Sequence, residues 1–285
     1  FSLKIKIPAF IVSLTVVALG TSAPELLVAI RAILDNSPGI ALGNVVGSNI
    51  ANVFLVLGIP ALIAGINTRE CNTRKNYVFM MTATVIFLSL AFIGNFSLPQ
   101  GILFLILLFL FLLITARDTL KIQDKISNLE VENADPNLVF WKIILFLSIG
   151  FIGLPIGADI LVKNASLIAK SYGLSDEVIG LTLVALGTSL PELATTLMAA
   201  LRKQADVALG NVIGSNIFNL FAIVGITTMF GDIPIASSFF NFDFWIMFGA
   251  GIVLFPFVYM RVNINRLWGA FLTLTYAAYL YLTIQ

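Results

Sequence analysis

Apolar stretches long enough to cross a bilayer follow one another along almost the whole chain, at about 8–34, 40–66, 77–94, 98–116, 138–162, 175–201, 207–230, 240–260 and 267–284. They predict nine helices and an all-α polytopic membrane protein. The one substantial polar break is 117–137, RDTLKIQDKISNLEVENADPN. It mixes both charge signs and is too short for a folded domain, so it reads as a solvated loop. It divides the chain into a first transmembrane repeat at 1–120, a short loop at 121–137 and a second repeat at 138–285. Polar residues also interrupt the apolar stretches from within. VALGTSAPELL, Val17 to Leu27, sets a glycine, two hydroxyls, a proline and a carboxylate in the middle of the first one.

That interruption occurs twice. TVVALGTSAPEL at 15–26 returns as TLVALGTSLPEL at 182–193, and ALGNVVGSNIANVF at 41–54 as ALGNVIGSNIFNLF at 208–221. Both pairs are offset by 167 residues, with about 25 identities in 46 aligned positions, which marks an internal duplication. At this offset Phe1 aligns with Ile168, which follows a complete apolar stretch that has no counterpart before Phe1. The expectation is therefore one further N-terminal helix, in roughly 30 residues, ahead of this chain. Two repeats of five helices each would then face opposite ways, because an odd number of spans reverses the second copy. That is the inverted-repeat plan of secondary transporters. With the added helix starting outside, 13 of the 16 Lys and Arg residues fall on the cytoplasmic side, and only Arg31, Lys163 and Lys170 fall outside. The positive-inside rule supports this orientation and a cytoplasmic 117–137 loop.

Composition narrows the chemistry. The chain is 59% hydrophobic and 11% charged, with a mean hydropathy of +1.01 and a net charge of +1. No basic field points to nucleic acid. The absence of histidine removes imidazole bases and imidazole metal sites. Cys71, the single cysteine, reads as a spare small residue.

The residues within the repeats point to cations. Pro24 has no N–H, and its ring clashes with the carbonyl of Gly20, so a helix through 15–27 is expected to open at Gly20 and free carbonyls from Ala18 to Thr21. Glu25 follows, with Thr21 and Ser22 at i−4 and i−3 on its face. Carboxylate, hydroxyl and carbonyl oxygens together suit hard cations such as Na⁺ and Ca²⁺. Gly187, Thr188, Ser189, Pro191 and Glu192 repeat the pattern. A membrane carboxylate costs at least ~2.5–3.5 kcal/mol on insertion scales, and nothing nearby in sequence pairs with either glutamate, so a functional role is indicated for both. In the second motif Asn44, Ser48 and Asn52 share one face at i, i+4, i+8, as do Asn211, Ser215 and Asn219, while Gly43, Gly47, Gly210 and Gly214 allow close helix packing. For Asn44, Asn49, Asn211 and Asn216, packing and ligation both stay open. Asn52 and Asn219 fall one turn beyond the serines, which favours ligation. Asp159 and Lys163 read as a local i, i+4 pair, and Asp176 and Glu177 after Ser175 as an acidic first turn. Asp243 reads as a helix-end residue, and Trp141, Trp245 and Trp268 as interfacial anchors.

These motifs, GTSxPE followed by GNxxGSNxxN and present twice, resemble the two α-repeats of the sodium/calcium exchanger branch of the cation/calcium exchanger superfamily, in its prokaryotic form. The likeness covers about a third of the chain by motif and nearly all of it by architecture. It implies ten helices in inverted five-helix repeats, with ion sites among 8–34, 40–66, 175–201 and 207–230. It places the Ca²⁺ ligands on Glu25 and Glu192 with backbone oxygens of Thr21 and Thr188. The Na⁺ sites add the carbonyls of Ala18 and Ala185 and the hydroxyls of Ser22, Ser189, Ser48 and Ser215. Asn52 and Asn219 form the central polar pair; the resemblance links an Asp there to potassium co-transport, so Asn at both argues against potassium dependence. The implied activity is Na⁺/Ca²⁺ antiport by alternating access in a multi-pass protein of a prokaryotic plasma membrane. A monomer is compatible with this reading, and the expectation is no cofactor beyond the transported Ca²⁺ and Na⁺, no nucleic-acid partner and no enzymatic activity. The 117–137 loop is too short for Ca²⁺-sensing domains. A Ca²⁺/H⁺ antiporter of the same superfamily is the alternative, disfavoured by GTSxPE in place of that branch's GNxxE. An intramembrane hydrolase using Ser22 or Ser189 would lack a histidine base, and the duplicated inverted design disfavours a channel.

Overall fold

The computed structural model describes residues 12–69, 71–123 and 139–285. Among them the chain is helical, with only two isolated β-bridges, Ile66 with Ile264 and Phe96 with Ile233. The helices are α1 (Ser13–Thr21 and Ala23–Leu34, bent), α2 (Pro38–Ala64), α3 (Arg74–Ile93), α4 (Leu98–Gln123), α5 (Phe140–Ser171), α6 (Asp176–Thr188 and Leu190–Leu201, bent), α7 (Ala205–Thr227), α8 (Asp243–Tyr259) and α9 (Arg266–Ile284). Five of these, and the two bent pairs, are long and apolar enough to cross a membrane. These nine match the nine apolar stretches, and a further short helix, Ser237–Asn241, leads into α8. α4 runs on to Gln123, so the expected loop at 117–137 begins as helix. Its Asp118 pairs with Lys75 of α3. The rest of that loop, and Lys4 and Lys6, lie outside the described residues.

The duplication holds residue for residue. π-helical turns at Ser13–Val17 and Gly180–Val184 correspond, as do those at Asn52–Val56 and Asn219–Ile223. Both bent helices turn by 43°. Non-glycine residues with positive φ, Asn36 (56°) and Lys203 (57°), close equivalent hairpins.

Helix direction shows the inversion. α1 and α2 are joined by a tight hairpin at 35–37 and run antiparallel, with Asn44 beside Glu25. α2 runs parallel to α6: a Cβ at Gly39 would meet Glu177, one at Gly43 the Glu177 carbonyl and Leu181 N–H, and one at Gly47 the Leu181 carbonyl and Ala185 Cβ. The register rises on both helices together. α6 therefore opposes α1, its own copy. The same contact recurs in reverse where Gly214 of α7 lies against Leu14 and Ala18 of α1. Glycine is required at Gly43, Gly47 and Gly214, where the added Cβ would meet backbone atoms; at Gly39 it would meet only the Glu177 side chain. α2 and α7 are wrapped on all sides, with 78% and 94% of their apolar windows buried, against 22% for α4 and α9. The repeated polar motifs thus lie in the centre of the bundle.

Candidate functional site

The bend in α1 falls at Ser22 (φ −82°, ψ 5°), two residues before Pro24, and not at Gly20. Pro24 takes the second position of the restarted half-helix, where a missing N–H costs no internal bond. The carbonyl of Ala18 is not freed as expected. It accepts the Ser22 N–H (3.0 Å) and the Thr21 hydroxyl (3.3 Å). Ala185 likewise accepts the Ser189 N–H (3.1 Å), while the Thr188 hydroxyl lies nearer to Val184 O and Asn44 Oδ1, both at 3.0 Å. The last turn before each break thus keeps its α-helical bond, and both carbonyls are already engaged. Ser175 caps α6 through the Val178 N–H at 3.3 Å, as its acidic first turn anticipated. The side chain of Asp159 lies outside the described residues, so its pairing with Lys163 is not described.

Glu25 and Glu192 are each 1% exposed, at the start of the second half-helices. Ser22 crosses to the other copy and donates to Glu192 Oε1 at 3.1 Å, in place of lining up with Glu25. The bend removes the i, i+3 geometry that would have joined Ser22 to its own glutamate. Ser215 donates to the same oxygen at 3.4 Å. Ser48 instead donates to Asn44 Oδ1 at 3.4 Å, where it is joined by Thr188 at 3.0 Å. Asn52 Nδ2 donates to Asn216 Oδ1 at 2.9 Å. These bonds tie the copies together through their polar residues. Both oxygens of Glu25, Glu192 Oε2, Asn52 Oδ1, Asn219 Oδ1 and Ser189 Oγ are buried and have no hydrogen-bond partner among the described residues. Oxygen atoms left unpaired inside an apolar bundle cost about 1–3 kcal/mol each, and their donor set is one that suits a hard cation; Asn219 Nδ2, beside them, is also without a partner among the described residues. No cluster of three or more His, Cys, Asp or Glu occurs among the described residues, so the negative charge here is that of two carboxylates.

The asparagines left open by the sequence now separate. Asn44 Nδ2 holds the backbone carbonyl of Glu25 at 3.2 Å, and Asn211 Nδ2 that of Glu192 at 3.3 Å. Asn211 also reaches Thr195 (2.9 Å) and Thr196 (3.0 Å). Each fixes the half-helix that carries the glutamate. Asn44→Ala and Asn211→Ala each leave a buried carbonyl without this donor and are therefore expected to destabilise the fold by about 1–3 kcal/mol. Thermal melting in detergent measures this; an unchanged melting temperature would remove the structural role of these two bonds. Sequence reading missed a polar contact elsewhere: Asp243, 6% exposed, accepts the Tyr279 hydroxyl at 3.0 Å. A helix-end carboxylate gives no sequence signal of a partner 36 residues away.

A family model for the sodium/calcium exchanger protein matches residues 1–117 and 142–285. The chain belongs to the sodium/calcium exchanger family. This exchanger is 34% identical to the putative antiporter CaxA of Alkalimonas amylolytica over 98% of its own length and 89% of that protein's. It is 32% identical to the sodium/calcium exchanger MaX1 of Methanosarcina acetivorans, over 97% and 89% of the two lengths. The solved structure of the sodium-calcium exchanger NCX_Mj, soaked with Na⁺ and Ca²⁺, superposes with a TM-score of 0.77 at 33% identity, covering 97% of this chain and 87% of that one. The exchanger is thus a helical membrane antiporter of the cation/calcium exchanger superfamily.

Proposed function

We propose that the protein exchanges Na⁺ for Ca²⁺ by alternating access, with the two ions competing for the oxygens around Glu25 and Glu192. The buried oxygens without partners between the copies carry this reading. Two carboxylates neutralise one Ca²⁺, and the surrounding amide, hydroxyl and carbonyl oxygens of Asn52, Asn219, Ser22, Ser189, Ser48, Ser215, Thr21, Thr188, Ala18 and Ala185 complete shells for it or for Na⁺. Because the sites overlap, the ions cannot occupy them together, which is the condition for exchange in place of co-transport. The names of MaX1 and NCX_Mj support Na⁺ as the coupling ion.

The repeats at 1–120 and 138–285, joined by 121–137, alternate in exposing the site. α5, which lies against both bent helices, slides to switch access. With the 117–137 loop cytoplasmic, inward Na⁺ drives Ca²⁺ out of a prokaryotic cell. The unit is a monomer, acts as a transporter and not a catalyst, and uses no cofactor. The second reading is Ca²⁺/H⁺ antiport, since two buried carboxylates can themselves carry protons. Proteoliposomes loaded with Na⁺, K⁺ or acidic buffer separate the two. Ca²⁺ uptake is expected only from the Na⁺-loaded vesicles; uptake that follows the pH gradient and ignores Na⁺ would establish the proton-coupled form.

A further inference from the structure

The asparagines that end the GSN steps, Asn49 and Asn216, occupy equivalent places in the two copies but make different bonds. Asn216 Nδ2 donates to the Met80 thioether at 3.7 Å, and its Oδ1 accepts from Asn52 Nδ2 at 2.9 Å. All three residues are buried, at 1%, 4% and 1% exposure for Met80, Asn216 and Asn52. The chemistry of the thioether sets the direction of this chain. Sulfur in methionine accepts and never donates. It therefore selects the NH₂ end of Asn216, which leaves the carbonyl end for Asn52. Asn52 must then present its own NH₂ to Asn216, and its Oδ1 is left without a partner among the described residues. Turned the other way, the amide would aim N–H groups, which repel cations, in the direction now taken by its oxygen.

The 167-residue offset carries Asn52 to Asn219, Asn216 back to Asn49, and Met80 to Met247, which is buried at 4% exposure in α8 as Met80 is in α3. The second chain is not made. Asn49 Nδ2 turns to the Val45 carbonyl of its own helix at 2.7 Å, and both amide atoms of Asn219 are without partners among the described residues. The glutamates show the same one-sidedness: Glu192 accepts from Ser22 and Ser215, whereas neither oxygen of Glu25 has a partner among the described residues.

We infer that Asn216, anchored by Met80, is a positioning residue that turns the Asn52 oxygen toward the transported ion, and that Asn49 with Met247 does the same for Asn219 in the opposite-facing state. This rests on the ion site proposed above. An inverted repeat that exposes its site alternately exchanges the environments of its two copies, so the made and unmade chains trade places during the cycle.

Calorimetry of Ca²⁺ binding to the purified full chain, with vesicle transport assayed from each face, tests this. Asn216→Ala is expected to weaken Ca²⁺ about 10–100-fold, as loss of a contact that orients a metal ligand does. Met80→Leu keeps the volume and removes only the acceptor, so it should act in the same direction without lowering the melting temperature. The double variant should be no worse than Asn216→Ala, because both act on one amide. In transport, Asn216→Ala should raise the Ca²⁺ KM chiefly at one face and Asn49→Ala chiefly at the other, with maximal rates held within about threefold. Unchanged Ca²⁺ affinity in Asn216→Ala and Met80→Leu would overturn the assignment. So would equal KM shifts at both faces in Asn216→Ala and Asn49→Ala. Calorimetry requires no coupling ion: weakened Ca²⁺ binding in a protein whose transport follows protons would keep the positioning role and remove only Na⁺ coupling.

Discussion

Glu25→Gln and Glu192→Gln are each expected to abolish Na⁺-dependent Ca²⁺ uptake while the protein still inserts and folds. Glutamine preserves volume and most of the packing, so the change isolates charge. Even at 4 Å, farther than direct ligation, one unit charge pair gains about 4 kcal/mol at an effective dielectric of 20. Even the smallest such loss corresponds to a fall in affinity on the order of 100- to 1,000-fold. The folded protein should not suffer in parallel. Both glutamates are buried, Glu25 with neither oxygen partnered among the described residues and Glu192 with one oxygen held by Ser22 and Ser215. Removing a membrane charge relieves a cost of at least ~2.5–3.5 kcal/mol on insertion scales. Melting in detergent without divalent ions should therefore be unchanged or raised, while stabilisation by added Ca²⁺ disappears through loss of linkage. A variant that melts early and recovers Ca²⁺ transport on cooling would point to a structural role for the glutamate.

Gly47→Leu and Gly214→Leu are expected to inactivate the protein by a different route. The space a side chain would need is filled: a Cβ at Gly47 would sit 2.5 Å from the Leu181 carbonyl and 2.7 Å from the Ala185 Cβ, and one at Gly214 2.8 Å from the Ala18 Cβ. The neighbours are backbone and short side chains, so nothing can swing away. α2 must leave α6, or α7 must leave α1, and those are the contacts that set the two copies against each other. Overpacking a well-packed core costs about 1–3 kcal/mol even for a few methylenes, and a leucine against touching backbones exceeds that. Lower yield, a lower melting temperature and loss of Ca²⁺ uptake should appear together. Gly249→Leu is the control, since nothing lies within 4 Å of its Cβ position. Normal melting and transport in Gly47→Leu would contradict the close parallel packing of α2 and α6.

The nine apolar stretches, the duplication and its inverted sense were legible in the sequence, because hydrophobicity and a gap-free 167-residue offset report them directly. So was the burial of both glutamates. Three features were not. Proline signalled a break but not its place: the turn moved to Ser22 because the proline is accommodated in the first turn of the next half-helix, which keeps Ala18 bonded. The π-helical turns that begin at Asn52 and Asn219 have no sequence mark, since they follow from how the bundle packs. The crossing of Ser22 to Glu192 was hidden because helical spacing assigns a side chain to its own helix, and only the inverted packing brings the other copy nearer. The identical motifs also concealed an asymmetry, for twin residues such as Asn49 and Asn216 read alike in sequence and bond differently in the fold.

The central claim is that one oxygen cage between Glu25 and Glu192 takes Ca²⁺ and Na⁺ in competition. Anomalous diffraction from crystals equilibrated with Sr²⁺ at a series of Na⁺ concentrations tests it most directly. The account predicts a single strong peak, close to 2.5 Å from carboxylate oxygens of both glutamates, which fades as Na⁺ rises and returns when Na⁺ is withdrawn. A peak elsewhere in the bundle, or one between the glutamates that Na⁺ leaves untouched, would contradict it.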